Sequence, residues 1–245
     1  MKKLLSILLF VPATWVSGAD FSTEIYLAYL ANRMDIWKAI MVEMEEAYGA
    51  TGDHELLWLL TDAQYGYIGY RVSMKHKKEA RVWLEKAEQN VERLIGLYPS
   101  DSRAFSLKGA LYGYRIILEP WKAPVLGVRS IKASDRAREL DPDEPRVWME
   151  RGNMEFYKPG ILGGSAAEAV TSYARAVEIY ESKPGKTRQN WLYMNCLVNL
   201  GLALEATGQI EEAGAVYRKT LKMEPCFSKV KDEIYPGYLK RHCKQ

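Results

Sequence analysis

Three histidines, His54, His76 and His242, stand far apart in this 245-residue chain. None falls in a His-x-x-x-His, Cys-x-x-Cys or Glu-x-x-His spacing, so no donor set is pre-arranged for zinc or a di-iron pair. No metal and no other cofactor is expected. A Gly-x-Ser-x-Gly elbow, a phosphate-binding loop and a dinucleotide fingerprint are all missing from the sequence. The acid pairs Glu45/Glu46 and Glu211/Glu212 are chain neighbours, placed on solvated helix faces rather than opposed across a substrate. Catalysis is not expected. One helix start is more suggestive: Gly160, Gly163 and Gly164 lead into Ser165, with Glu168 at the spacing of a capping box. Backbone amides at Gly163, Gly164 and Ser165 are donors of the kind an anion takes. The same residues also make a tight turn that aims the following helix, and an upstream insertion ending in Val125, Leu126 and Gly127 resembles them in that structural role.

The three cysteines are too few for a disulfide scaffold. A tail that folds back would bring Cys243 to Cys226 and close a loop of about 17 residues, worth roughly 3 kcal/mol in the chain-entropy picture. Three reduced thiols are the alternative, with Cys196 facing the core by its spacing from Leu200.

The elements that position these residues are helices. Hydrophobic residues make up 48% and charged residues 27%, an ordinary globular balance that argues against disorder. Val, Ile and Thr do not gather in alternating runs, and Gly and Pro punctuate stretches of helical length. The chain opens with Lys2 and Lys3, an apolar run at 4–11, Pro12, and the small residues Ser17, Gly18 and Ala19. That order is a secretory signal, too short to span a bilayer, so residues 1–19 are expected to be cleaved and the mature protein to be periplasmic or secreted. No later stretch is long enough to cross a membrane. The formal charge of +3 falls to about +1 without Lys2 and Lys3, which gives no general reason to bind nucleic acid. Charge is uneven along the chain. Residues 20–62 carry nine acids against two bases, and residues 218–245 carry eight bases against three acids. Such a dipole could orient the molecule at an anionic envelope surface, so a peripheral envelope association belongs among the expectations.

Internal repetition is the strongest signal. Gly201, Ala213, Tyr217 and Pro225 place two small residues where helices cross, a ring beside them and a closing proline, with a tight turn at Gly208. Trp148, Gly152, Ala169, Tyr173 and Ala176 repeat the order with extra length at 157–164. Phe105, Gly109, Tyr112, Ala137 and Pro142 repeat it again, with a larger insertion at 119–127 that holds Trp121. Ala87, Leu94 and Pro99 close an earlier pair that begins near Asp53. This pattern resembles the tetratricopeptide repeat, with Thr220 standing where the family usually has a second alanine. The resemblance implies an all-α, right-handed α-solenoid: a divergent hairpin at 22–50, repeats over 53–227 and a cap at 228–245, all one domain over 20–245.

What the resemblance implies for function is binding through a concave groove lined by the first helix of each pair. The expected occupant is a protein or peptide, in keeping with a scaffold or adaptor. A periplasmic small-ligand binder or transporter accessory, and a structural part of an envelope assembly, are the alternatives. Six residues before Gly109, Gly152 and Gly201 stand Arg103, Arg146 and Asn195, and one 34-residue unit beyond Asn195 is Lys229. In this family those places face the groove at the start of each first helix, where cations oppose the helix dipole. Asn153 and Asn199 lie deeper, spaced like the asparagines with which some members clamp a terminal carboxylate. Met149 and Glu233 stand where that clamp would carry more bases, so an acidic segment is the better-matched partner. Asp101, Asp143 and Glu144 offer local neutralisation of the arginines instead.

Overall fold

The computed structural model describes residues 18–242, and it is all α-helical with no strand among them. Residues 1–17 of the expected signal and the Cys243 half of the Cys226–Cys243 alternative lie outside this range, while Gly18 and Ala19 open the first helix. The elements pair as hairpins: α1 (Gly18–Leu30) with α2 (Met34–Thr51), α3 (His54–Ser73) with α4 (Lys77–Leu97), and α5 (Ser102–Leu118) with α6 (Ala123–Leu140). Then come α7 (Pro145–Tyr157) with α8 (Ala166–Ser182) and α9 (Trp191–Ala206) with α10 (Ile210–Met223). A π-helical segment, Lys229–Ile234, leads into α11 (Tyr235–His242). Each helix packs on its chain neighbours, which is the contact pattern of a solenoid.

Local chemistry sets the boundaries. Asp53, Asp101, Glu144, Ser165 and Asn190 each accept a hydrogen bond from a backbone amide in the first turn that follows, filling the orphan donors of α3, α5, α7, α8 and α9. The expected tight turn at Gly208 is there, with φ at +78°, a left-handed conformation that glycine adopts without a Cβ penalty. The small-residue signature has a steric cause. A Cβ on Gly201 would lie 2.3 Å from the ring of Tyr217, and one on Gly152 would lie 2.7 Å from Tyr173. Both rings and the companions Ala169 and Ala213 are fully buried, so each glycine lets a tyrosine lie flat on its hairpin partner.

The insertion at 119–127 is not the loop expected from its sequence. Pro120–Lys122 form a 3₁₀ turn, and Val125, Leu126 and Gly127 already belong to α6. Pro124 sits in the first turn of that helix, where its missing N–H and fixed φ are tolerated. The parallel with 160–164 holds only for the 3₁₀ turns at Pro120–Lys122 and Gly160–Leu162, since Gly163 and Gly164 stay outside a helix while Val125, Leu126 and Gly127 lie within one. At the end of the chain, Tyr238 of α11 packs against Tyr217 with ring centroids 5.6 Å apart, and its hydroxyl donates to the Ile210 carbonyl. Phe227 and Val230 are buried beside it, covering the end of the last hairpin.

Candidate functional site

The concave face is not an empty groove. Helix α1 lies across it, touching α3 and α9 as well as its hairpin partner α2. Tyr29 places its ring 5.6 Å from Trp191, 6.0 Å from Trp37 and 5.1 Å from Phe227. Trp37 and Trp191 meet edge to face at 5.1 Å, seated over Gly66, where a Cβ would come within 2.9 Å of both indoles. Tyr26 donates to Glu224 at the end of α10. The first helix thus joins the last repeat, and the aromatic side chains close the space between them.

This closure decides the fate of the asparagines. Asn195 and Asn199 do come together with Asn153, but they bond one another and α1 rather than facing solvent. Asn195 donates to the Tyr29 hydroxyl at 3.1 Å, and Asn199 donates to the side-chain oxygens of Asn195 and Asn153. Asn153 donates to Glu150 and to the Tyr65 hydroxyl, and its oxygen accepts from Tyr173. Burial pushes the phenols of Tyr29, Tyr65 and Tyr173 well above their ordinary range, so all three stay neutral, Tyr65 and Tyr173 as donors and Tyr29 as the acceptor from Asn195. A free clamp for a partner's carboxylate is therefore corrected to an internal network.

Arg146 is also internal, at 3% exposure. It bonds Asp62 of α3, lies 3.8 Å from Glu150 and stacks 5.3 Å over the Tyr65 ring. Burial works against its charge, but the facing Asp62 and Glu150 carboxylates outweigh it and hold the guanidinium protonated. Burial raises the Glu150 pKa, with Arg146, Asn153 and Tyr65 pulling the other way. Local neutralisation takes a different form from the expectation. Asp101 does grip Arg103, whose guanidinium also stacks 4.4 Å over Trp58. Asp143 pairs instead with Arg175, and Glu144 caps α7 by accepting the Arg146 amide.

A cleft of about 290 Å³ remains open where the concave face meets the starts of the first helices. Arg103 and Arg146 both line it, with Asp62 and Glu144 beside them. Ile25, Met44, Leu59, Trp191 and Leu192 supply its apolar wall. The α8–α9 loop adds Lys186, Arg188, Gln189 and Asn190, with Gly185 and Gln189 in left-handed backbone conformations. Four cations therefore face two acids. The loop was not singled out in the sequence, although Lys183, Pro184, Gly185, Lys186 and Arg188 form a basic, turn-rich stretch that marks it. Lys229 is exposed at the start of the π-helical segment and does not line the cleft.

The 160–165 turn is corrected as an anion site. The amides of Gly163, Gly164 and Ser165 donate to the carbonyls of Gly160, Pro159 and Glu155, which leaves none of those three for a ligand. A Cβ on Gly164 would overlap the Lys158 carbonyl, so that glycine serves a close backbone approach. Ser165 accepts the Glu168 amide, the capping half of the expected motif. Cys196 is buried, and burial pushes its thiol pKa up, away from reactivity. Cys226 is exposed. Among the described residues no cluster of His, Cys, Asp and Glu is placed to hold a metal, and no helix is long and apolar enough to cross a membrane.

Stacked antiparallel hairpins, two of them with a glycine–tyrosine contact where their helices cross, make an α-solenoid of the kind that tetratricopeptide repeats build. The family model for the tetratricopeptide repeat matches residues 195–225, the α9–α10 hairpin whose spacing is most regular. Among solved structures, the chain is similar to TTC0263, a thermophilic tetratricopeptide-repeat protein of Thermus thermophilus. That match has 15% identity and a TM-score of 0.58, over 90% of this chain and 99% of that one. A haemophore of Porphyromonas gingivalis, HusA, matches at 17% identity and a TM-score of 0.45, over 74% of this chain and 95% of that one. The MamA protein matches at 17% identity and a TM-score of 0.38, over 86% and 96%. At these identities the first match speaks to the fold alone, and the lower two scores add nothing to it. No curated protein matches the chain in sequence.

Proposed function

We propose that this chain is an exported, non-catalytic scaffold that binds an acidic segment of a protein partner at the cleft beside Arg103, Lys186 and Arg188. The observation that carries the reading is where open cationic surface remains. With α1 seated across the concave face, the cleft joins an apolar wall around Trp191 to Arg103 and to the exposed Lys186 and Arg188 of the α8–α9 loop, while Arg146 at its floor is buried and paired with Asp62. An acidic side chain flanked by an apolar one matches that pairing, and the excess of positive charge steers it in. Export rests on the basic, apolar and small-residue order of residues 1–19. Cleavage near Gly18 or Ala19 leaves Phe21 and Ile25, both buried, to anchor the first helix. N-terminal sequencing should begin within a few residues of Asp20, and an intact Met1 on the mature, folded protein would overturn export.

The binding test is titration of a short oligoglutamate peptide bearing one tryptophan. The Lys186→Glu/Arg188→Glu variant should bind roughly tenfold more weakly, about 1.4 kcal/mol, and wild-type binding should fall with added salt. Equal affinity for both proteins would remove the cleft from consideration.

A further inference from the structure

The first half of helix α6 exposes apolar side chains where a surface helix should be polar, and its second half is charged. The face it buries against α5 is made mostly of small groups, with Leu126 the one large side chain beside Ser130, Ala133 and Ala137. Its larger side chains point outward: Val125 is 57% exposed and Val128 53%, and Ile131 continues the row one turn on. The 3₁₀ turn that opens the helix adds Trp121 at 71% exposure. That turn is held firmly, because Glu119 takes ion pairs from both Arg115 and Lys122, and Arg115 reaches back to Glu88 on α4. In stacked antiparallel hairpins, the turns within successive pairs emerge along one edge. The next such turn carries Ile161, 95% exposed. Arg129 and Lys132 flank the outward row and make no ion pair among the described residues.

We infer that this edge, centred on Trp121 and Val128, docks on an anionic lipid surface. Three observations choose that occupant. The apolar groups are convex tips on two separate turns and one helix face, a shape suited to a plane and not to a pocket. A tryptophan at the tip with Lys and Arg beside an apolar row is the composition of an interfacial anchor, the cations meeting headgroups while the apolar side chains enter the acyl boundary. A second copy of the chain is disfavoured, because a two-fold contact centred on Val128 would set Arg129 and Lys132 of both copies against each other. This surface is separate from the cleft, so either reading can fail alone.

The test is co-sedimentation of the purified chain with phosphatidylglycerol and phosphatidylcholine vesicles, alongside Trp121→Ala/Val128→Ser and Arg129→Gln/Lys132→Gln. Any contribution of residues 4–11 is common to all three proteins. Wild type should prefer phosphatidylglycerol, and the charge variant should lose about fivefold per removed base there. The apolar variant should lose about tenfold on the same vesicles. All positions are exposed, and unchanged circular dichroism would confirm folding. Equal partitioning of the three proteins, or no preference for phosphatidylglycerol, would overturn the proposal. So would self-association of wild type that disappears in the apolar variant without any loss of vesicle binding.

Discussion

At the scale of single residues, the fold turns on contacts where one atom more does not fit. Gly201 illustrates this, because the added methyl of Gly201→Ala would meet the buried Tyr217 ring at 2.3 Å. That substitution should cost about 1–3 kcal/mol in urea denaturation. Gly96, in α4 with nothing within 4 Å, is the control, and Gly96→Ala should stabilise by up to about 1 kcal/mol. If both substitutions shift the midpoint in the same direction, the steric account is wrong. Glu79 gives a residue-scale pH prediction. The Lys38 ammonium bonded to it lowers its pKa, burial opposes this, and Tyr67 and Arg71 assist the lowering. A carboxylate lowered in the folded state contributes stability above its unfolded pKa of about 4.3, and that stability is lost as pH falls through the folded value. Wild type should therefore lose more stability than Glu79→Gln between about pH 5 and pH 3. Parallel acid limbs for the two proteins would contradict it.

At the scale of elements, legibility followed the range of the interactions. The α9–α10 hairpin was readable because its glycine, alanine, tyrosine and proline act on one another within a few turns. Ser165 was readable as a cap for the same reason. Helix α1 was readable as a helix but not as the occupant of the concave face. Tyr29 meets Asn195 and Trp191 across more than 160 residues, and nothing local to Tyr29 encodes that distance. Arg146 was placed at the right helix start, yet its partner Asp62 comes from α3, so its burial could not be read from its neighbours. The 119–127 segment misled because Pro and Gly signal a loop, while Pro124 in a first turn begins a helix just as well. The position of α1 makes its own prediction. Tyr29→Ala should cost roughly 3 kcal/mol, because it opens the aromatic cluster and leaves Asn195 short of an acceptor. A loss under about 0.5 kcal/mol would place α1 off the concave face.

At the scale of the whole molecule, the chain is a solenoid whose first helix meets its last repeat, so an open groove is replaced by a closed concave face and a basic cleft at its mouth. That arrangement divides the surface by task. The interior network around Asn153, Glu150 and Arg146 holds the hairpins together, the α8–α9 loop presents charge, and the α6 edge presents apolar tips. The claim on which this division rests is that α1 belongs to the folded scaffold and stays in place when a partner binds. Hydrogen exchange on the intact protein, read segment by segment with and without the oligoglutamate peptide, tests it most directly. The account predicts that residues 21–30 are protected as strongly as α9 in the free protein, and that the peptide adds protection at 185–191 while leaving α1 unchanged. Rapid exchange of residues 21–30 in the free protein, or their release when the peptide binds, would contradict it.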